Sequence, residues 1–174
     1  MPTPRKPQYW LLKSEPEEFS IVDLARVGQE PWSGVRNYQA RNFIRDGMRV
    51  GDGVMFYHSN CAQPGIVGLA TVASAAKPDP TQFDPKSDYH DPGSLLAAPR
   101  WLLVDIAYGR TLARTISLEL LKQHAEQLGD FALLRRGNRL SVLPVGVAQW
   151  RHILTLESND HGDQLLQARK AKSP

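Results

Sequence analysis

Glycines at positions 51, 53, 65 and 68 bracket two apolar runs, Val54-Met55-Phe56-Tyr57-His58 and Ile66 to Ala73, with Gln63-Pro64-Gly65 between them. Short apolar runs bounded by turn residues read as buried strands, and two in succession around a Pro-Gly turn read as an antiparallel hairpin. Glycine within or beside a strand marks a bulge or a sharp bend, so Gly65 and Gly68 predict the strong curvature of a barrel wall. Any fold for this chain has to be built around a curled sheet.

The remaining segments agree with that requirement. Tyr9 to Lys13 is a first strand, ended by Ser14-Glu15-Pro16-Glu17. Ser14 with Glu17 has the spacing of a capping box, and Ser20 with Asp23 is a looser version of it, so two short helical turns are expected before Gly28. Trp101 to Ile106 and Tyr108 to Ala113 read as strands. Ser117 caps a helix carrying Leu118, Leu121, Ala125 and Leu128 up to Gly129. Phe131 to Arg136 is a helical or extended connection. Leu140 to Val145 is a final strand, and Val147, Trp150 and Leu154 mark a last amphipathic helix. Lys77 to Pro99, with five prolines and four aspartates, has no sustained period and reads as a long loop, a type that in compact domains is functional or disordered. No Gly-rich nucleotide fingerprint follows the first strand, which argues against a doubly wound parallel sheet. The class expected is α+β, a mixed and strongly curved β-barrel surrounded by short helices.

A chain of 174 residues with 41% apolar content supports one domain, here residues 8–156 between a flexible tail at 1–7 and a polar tail at 157–174. Its single cysteine, Cys61, excludes an internal disulfide and a thiolate-rich metal site and suits a reducing, cytoplasmic setting. No run approaches the roughly 20 apolar residues of a membrane span. The net charge of +3 leans towards an anionic partner without demanding one. Neither a cofactor nor a metal is expected, and the chain is expected to act as a monomer.

Chemistry concentrates between Trp32 and Arg49. Gly34 marks a turn, and Asn37 can N-cap a helix whose apolar positions Ala40, Phe43, Ile44 and Met48 share one face. Arg36, Arg41, Arg45 and Arg49 place four guanidiniums against one nearby carboxylate, Asp46. Such a run is either a solvated face or a phosphate-holding one. Trp32 immediately upstream favours the second, because an aromatic face stacks a base while arginines hold phosphates.

Four segments, Tyr9-Trp10-Leu11-Leu12-Lys13-Ser14-Glu15-Pro16, Trp32-Ser33-Gly34-Val35-Arg36-Asn37-Tyr38-Gln39-Ala40-Arg41-Asn42, Phe56-Tyr57-His58-Ser59 and Arg139-Leu140-Ser141-Val142, together resemble the EVE domain family. The resemblance spans roughly residues 8–156. It implies a PUA-like barrel, related to the YTH and ASCH domains, that recognises a modified nucleobase such as methylated or hydroxymethylated cytosine in DNA or RNA; catalysis is not implied. Carried onto this chain, the implied pocket takes Lys13 and Ser14, Trp32, Gly34, Val35, Arg36 and Asn37, His58 and Ser59, and Tyr89 from the long loop.

Physical chemistry gives these residues roles consistent with base flipping. Trp32 and Tyr89 replace the stacking a flipped base loses, backbone groups near Ser14 and Gly34 with the Asn37 amide read its Watson–Crick edge, and Val35 walls the added methyl. Arg36, Arg41 and Arg45 hold flanking phosphates. Trp10, Trp101 and Trp150 are assigned to the core, and Arg135, Arg136 and Arg139 to a solvated edge. A rival reading is a small hydrolase or base-processing enzyme, with His58 and Cys61 as a thiol site and Glu15 or Asp52 as a base.

Overall fold

A computed structural model of the chain describes residues 3–158. Strand β1 (Tyr9–Ser14) leads through a tight turn into α1 (Ile21–Val27) and the short β2 (Gln29–Pro31). Next come α2 (Tyr38–Asn42), a π-helical turn over Phe43–Gly47, and the hairpin β3 (Gly53–His58) and β4 (Gly65–Val72). An excursion closed at its neck by β5 (Lys77–Pro78) and β6 (Leu102–Leu103) precedes the long β7 (Asp105–Ser117). Helices α3 (Leu118–Gln123) and α4 (Ala125–Leu128), strand β8 (Val142–Val145) and helix α5 (Val147–Ser158) complete the order.

Six strands form one mixed sheet in the order β2-β7-β4-β3-β1-β8, curled into a PUA-like half-barrel. The pair β1 and β3 is parallel and the other pairings are antiparallel. The expected hairpin is present, with a register shift between Phe56 and Tyr57, and β4 shifts again against β7 between Ile66 and Gly68. Gly68 permits the close approach: a Cβ there would stand 2.4 Å from Ile21 Cδ1.

Both central strands are buried on both faces, which is why they read as continuous apolar runs rather than alternating ones. Trp10, Leu12, Val54 and Phe56 face a core with α1, Trp32, Ile44 and Met48, while Leu11, Met55 and Tyr57 face α3, α4 and α5. Ser20 and Asp23 form the predicted capping box. Ser14 with Glu17 does not: Ser14 lies in β1, and its hydroxyl donates to the Phe19 carbonyl, closing a turn instead of starting a helix. The helix begun by Ser117 breaks at His124 into α3 and α4.

Asp52, weighed above as a general base, is a structural anchor. It is buried and accepts from Arg5, the Gln8 and Arg49 amides and Trp10 Nε1 at 2.9–3.3 Å. Burial alone would raise its carboxyl, but these donors hold it below the usual carboxylate range. Arg5 thereby ties part of the expected N-terminal tail to the domain. Of the polar tail expected from 157, Glu157 and Ser158 form the end of α5, and 159–174 lie outside the described residues. Among the described residues no helix is long and apolar enough to cross a membrane.

A depressed native pKa contributes stability that is present above the unfolded value of about 4 and lost as pH falls through the native one. Asp52→Asn is therefore expected to cost about 2–3 kcal/mol near neutrality. Urea titrations at about pH 7 and about pH 3 should show the gap to the parent protein shrinking in acid.

Candidate nucleobase cavity

Because β1 and β3 run parallel, their carboxyl ends open at the same edge of the sheet, the position where ligand crevices form in open sheets. A cavity of about 610 Å³ lies there, within the roughly 300–1,000 Å³ of small-molecule sites. Its floor is built by backbone continuity: the Ser59 amide donates to Ser14 O at 3.0 Å, and the Lys13 amide to Ser141 O at 2.9 Å. Lys13, Ser14, Ser59 and Ser141 accordingly line it. Burial lowers the pKa of the Lys13 amine.

The aromatic side comes from three segments. Trp32 is buried, edge-on to Phe56 with centroids 5.5 Å apart and near-perpendicular to Phe19. It is thus a wall rather than the open platform expected. Trp10 and Trp101 donate their indole N–H groups to Asp52 and Asp91, whereas Trp32 lines the cavity. Val35, also buried, lines the cavity beside it.

Tyr89 reaches over from the long excursion and lines the cavity beside Gly34. Gly34 adopts φ +87°, and a Cβ built on it would lie 2.8 Å from Tyr89 Cε2 and Cζ, so the ring rests on the bare Cα. Burial, with Glu18 and Asp88 nearby, raises the Tyr89 phenol pKa.

What holds Tyr89 is Arg36, which does not line the cavity. Its Nε and Nη2 donate to Tyr89 O at 3.0 and 2.7 Å, and its Nη1 pairs with Asp79 at 3.0 Å. Asp79 has no exposure and also accepts from the Gly34 amide, the Thr81 amide and the Thr81 hydroxyl. Burial would raise this carboxyl, yet the hydrogen bonds from Thr81, Gly34 and Arg36 keep it low. The Arg36 guanidinium lies 5.6 Å from the Tyr89 centroid and 5.5 Å from that of Trp101. Trp101 stacks on Tyr38, and Arg41 covers Tyr38 at 4.9 Å.

Several expected roles are therefore reassigned. Arg36, expected to hold a phosphate, is a partly exposed clamp on Tyr89 whose charge is met by Asp79. Asn37 spends its side-chain oxygen on the Ala40 amide as the N-cap of α2 and stays outside the cavity. His58 also lies outside it; its Nε2 accepts from the Ile21 amide at 3.1 Å, fixing α1 to the end of β3. No hydrogen bond among the described residues joins His58 to Cys61. Arg45 is paired with Asp46, whereas the guanidiniums of Arg41 and Arg49 hydrogen-bond to neutral groups and feel Asp46 only at longer range. Arg135 pairs with Asp130, but Arg139, assigned to the solvated edge, lines the cavity.

The acidic lining is not among the features expected from the sequence. Glu15, Glu18, Glu30 and Asp88 face the cavity against only Lys13 and Arg139. The cluster Glu15-Pro16-Glu17-Glu18, set directly after β1 in a basic chain, was the available signal. Among the described residues no group of three His, Cys, Asp or Glu side chains has metal-binding geometry.

The EVE domain family matches residues 8–156. Thymocyte nuclear protein 1 of Danio rerio is 44% identical over 175 residues, 89% of this chain and 75% of that protein. A solved structure from Pseudomonas putida has a TM-score of 0.83 at 52% identity, with 86% of this chain and 99% of that one covered. Human THYN1 in complex with DNA containing 5-methylcytosine has a TM-score of 0.84 at 38% identity, with 88% and 99% covered.

Gly28 shares the positive φ of Gly34 but has open space where a Cβ would stand, so Gly28→Ala measures backbone strain alone. Gly34→Ala should cost about 1 kcal/mol more than Gly28→Ala in chemical unfolding, because the ring of Tyr89 has to move as well.

Proposed function

The chain belongs to the EVE domain family, and from that premise we propose that it is a non-catalytic module that recognises a modified cytosine in DNA by taking the flipped base into the cavity at the ends of β1 and β3. The observation that carries this reading is the composition of the open cavity: Trp32, Tyr89, Phe19 and Val35 line it together with four carboxylates and two cations. A phosphate would meet mostly like charge there, whereas a neutral base would not. The exocyclic amine of cytosine is a donor that glutamate and aspartate accept, and its ring nitrogen and carbonyl are acceptors for donors such as Lys13 and the Trp32 indole.

Tyr89 and Trp32 supply the apolar contact that offsets lost stacking, worth about 1–3 kcal/mol per base. Val35 is the wall for the added methyl. Burial of one methyl contributes about 0.8 kcal/mol, which is about fourfold in affinity. Backbone phosphates fall to the cations outside that have no close carboxylate partner, of which Arg41 adjoins the aromatic stack leading to Tyr89; Arg45 contributes less because Asp46 pairs with it directly.

Catalysis finds little support in the arrangement. The nitrogen a thiol site would need on His58 is engaged by Ile21, and Asp52 is saturated with donors. Glu15 serves this reading as a hydrogen-bond acceptor.

The test is binding of purified protein to matched oligonucleotides with and without one 5-methylcytosine, in DNA and RNA. Methylated DNA should bind about fourfold or more tightly than unmodified DNA. Tyr89→Ala should weaken it about 5- to 100-fold, and Val35→Ala should reduce the preference without abolishing binding. Equal affinity for modified and unmodified strands in every variant would sink the reading.

A further inference from the structure

The excursion between β5 and β6 carries a second feature besides Tyr89. Leu95, Leu96, Ala97, Ala98 and Pro99 form a continuous apolar run in which Leu95 is 65% and Leu96 80% exposed. The run is a built turn: the Ala98 amide donates to Leu95 O at 3.0 Å, and the two residues bridge. Its root is buried. Ser94 Oγ donates to Gln82 Oε1 at 2.6 Å and accepts from the Arg100 amide at 3.2 Å, and Gln82, with no exposure, donates to the Asp79 and Trp101 carbonyls.

Asp79 is also the residue that holds Gly34 and Arg36, so the apolar turn and the Tyr89 wall stand on one buried polar network. Cations flank the base of the turn. The Arg100 guanidinium packs against Gly93 and meets Asp91 only at 3.6 Å, and Arg41 Nη1 donates to Arg100 O. An exposed leucine pair on a rigid support, with arginines at its base, matches an apolar wedge for a duplex: the arginines meet phosphates and the leucines enter between base steps.

We infer that the Leu95–Pro99 turn is a wedge that inserts into duplex DNA beside the base held in the cavity and fills the space this base leaves in the stack. The inference rests on the base-flipping reading above and adds to it the form of the substrate, a duplex rather than a free strand. Withdrawing a base from a duplex leaves an unstacked gap; a free strand has no such gap to fill. The wedge therefore contributes to duplex binding only.

The experiment compares the parent protein, Leu95→Ser/Leu96→Ser and Tyr89→Ala on one 5-methylcytosine oligonucleotide, presented as a duplex and as a single strand. The double variant should lose about tenfold in duplex affinity and keep its single-strand affinity, while Tyr89→Ala should lose both. Both leucines are exposed, so thermal unfolding of the double variant should match the parent. As a measurement on the unperturbed surface, a diazirine-bearing leucine at position 96 should crosslink to the base step next to the methylcytosine. Undiminished duplex binding by the double variant, or a complex without that crosslink, would overturn the wedge and leave the cavity reading standing. Equal losses on both substrates, or a change from dimer to monomer in sedimentation, would overturn it in favour of a strand contact or a second copy of this chain. Failure of the parent protein to bind either form would remove the cavity reading, and the wedge with it.

Discussion

A carboxylate with no access to water persists only where its hydrogen-bond capacity is filled, and Asp79 fills it from its own turn, at Thr81, and from the segment 34–36 more than 40 residues away. The Gly34 amide, the Arg36 guanidinium and Thr81 all converge on it. Breaking one arm would leave a buried charge exposed to apolar surroundings, which is why the wall segment 32–36 and the excursion 77–103 are held in one arrangement. Arg36 extends that arrangement outward through the Tyr89 carbonyl and the faces of Tyr89 and Trp101. Arg36 is thus engaged in building the cavity wall, which internal contacts alone hold in place.

The sheet contributes the other half of the site. Parallel pairing of β1 and β3 brings Lys13-Ser14 and Ser59 side by side, and the backbone link to Ser141 brings in the residue directly before β8. Three chain segments far apart in sequence meet at one rim because the two central strands are buried on both faces and cannot shift without exposing apolar surface. The half-barrel is in this sense a rigid frame, and the site lies where its ladder ends.

How much of this was legible in the sequence follows from how local each determinant is. The hairpin, the Ser20 cap, the Asn37 cap and the apolar face of α2 were readable because glycine, capping residues and periodicity act within a few residues. The capping pattern at Ser14 misled because pairing with β3 and β8 outcompetes a local cap. His58 and Asn37 were assigned to the cavity from their segment, but their direction is set by partners on α1 and within α2. Asp79 was hidden inside a proline-rich stretch, although an aspartate directly before Pro80 is a helix-start signature and it does cap the turn over Pro80–Phe83. The acidic lining was only half legible: Glu15 and Glu18 stand together in the sequence, but Glu30 and Asp88 join them only after folding.

If the chain takes a flipped base from DNA as proposed, that lining has a kinetic consequence for its search along a long polyanion. The outer arginines would then attract any stretch of DNA while the interior carboxylates resist entry of the phosphate chain, so contacts with ordinary sequence would stay at the rim. On the reading proposed here, such encounters are brief and laterally mobile. Raising the ionic strength then shortens every encounter alike, while the ratio between a fitting base and an unfitting one, decided among dipoles inside the cavity, stays nearly constant.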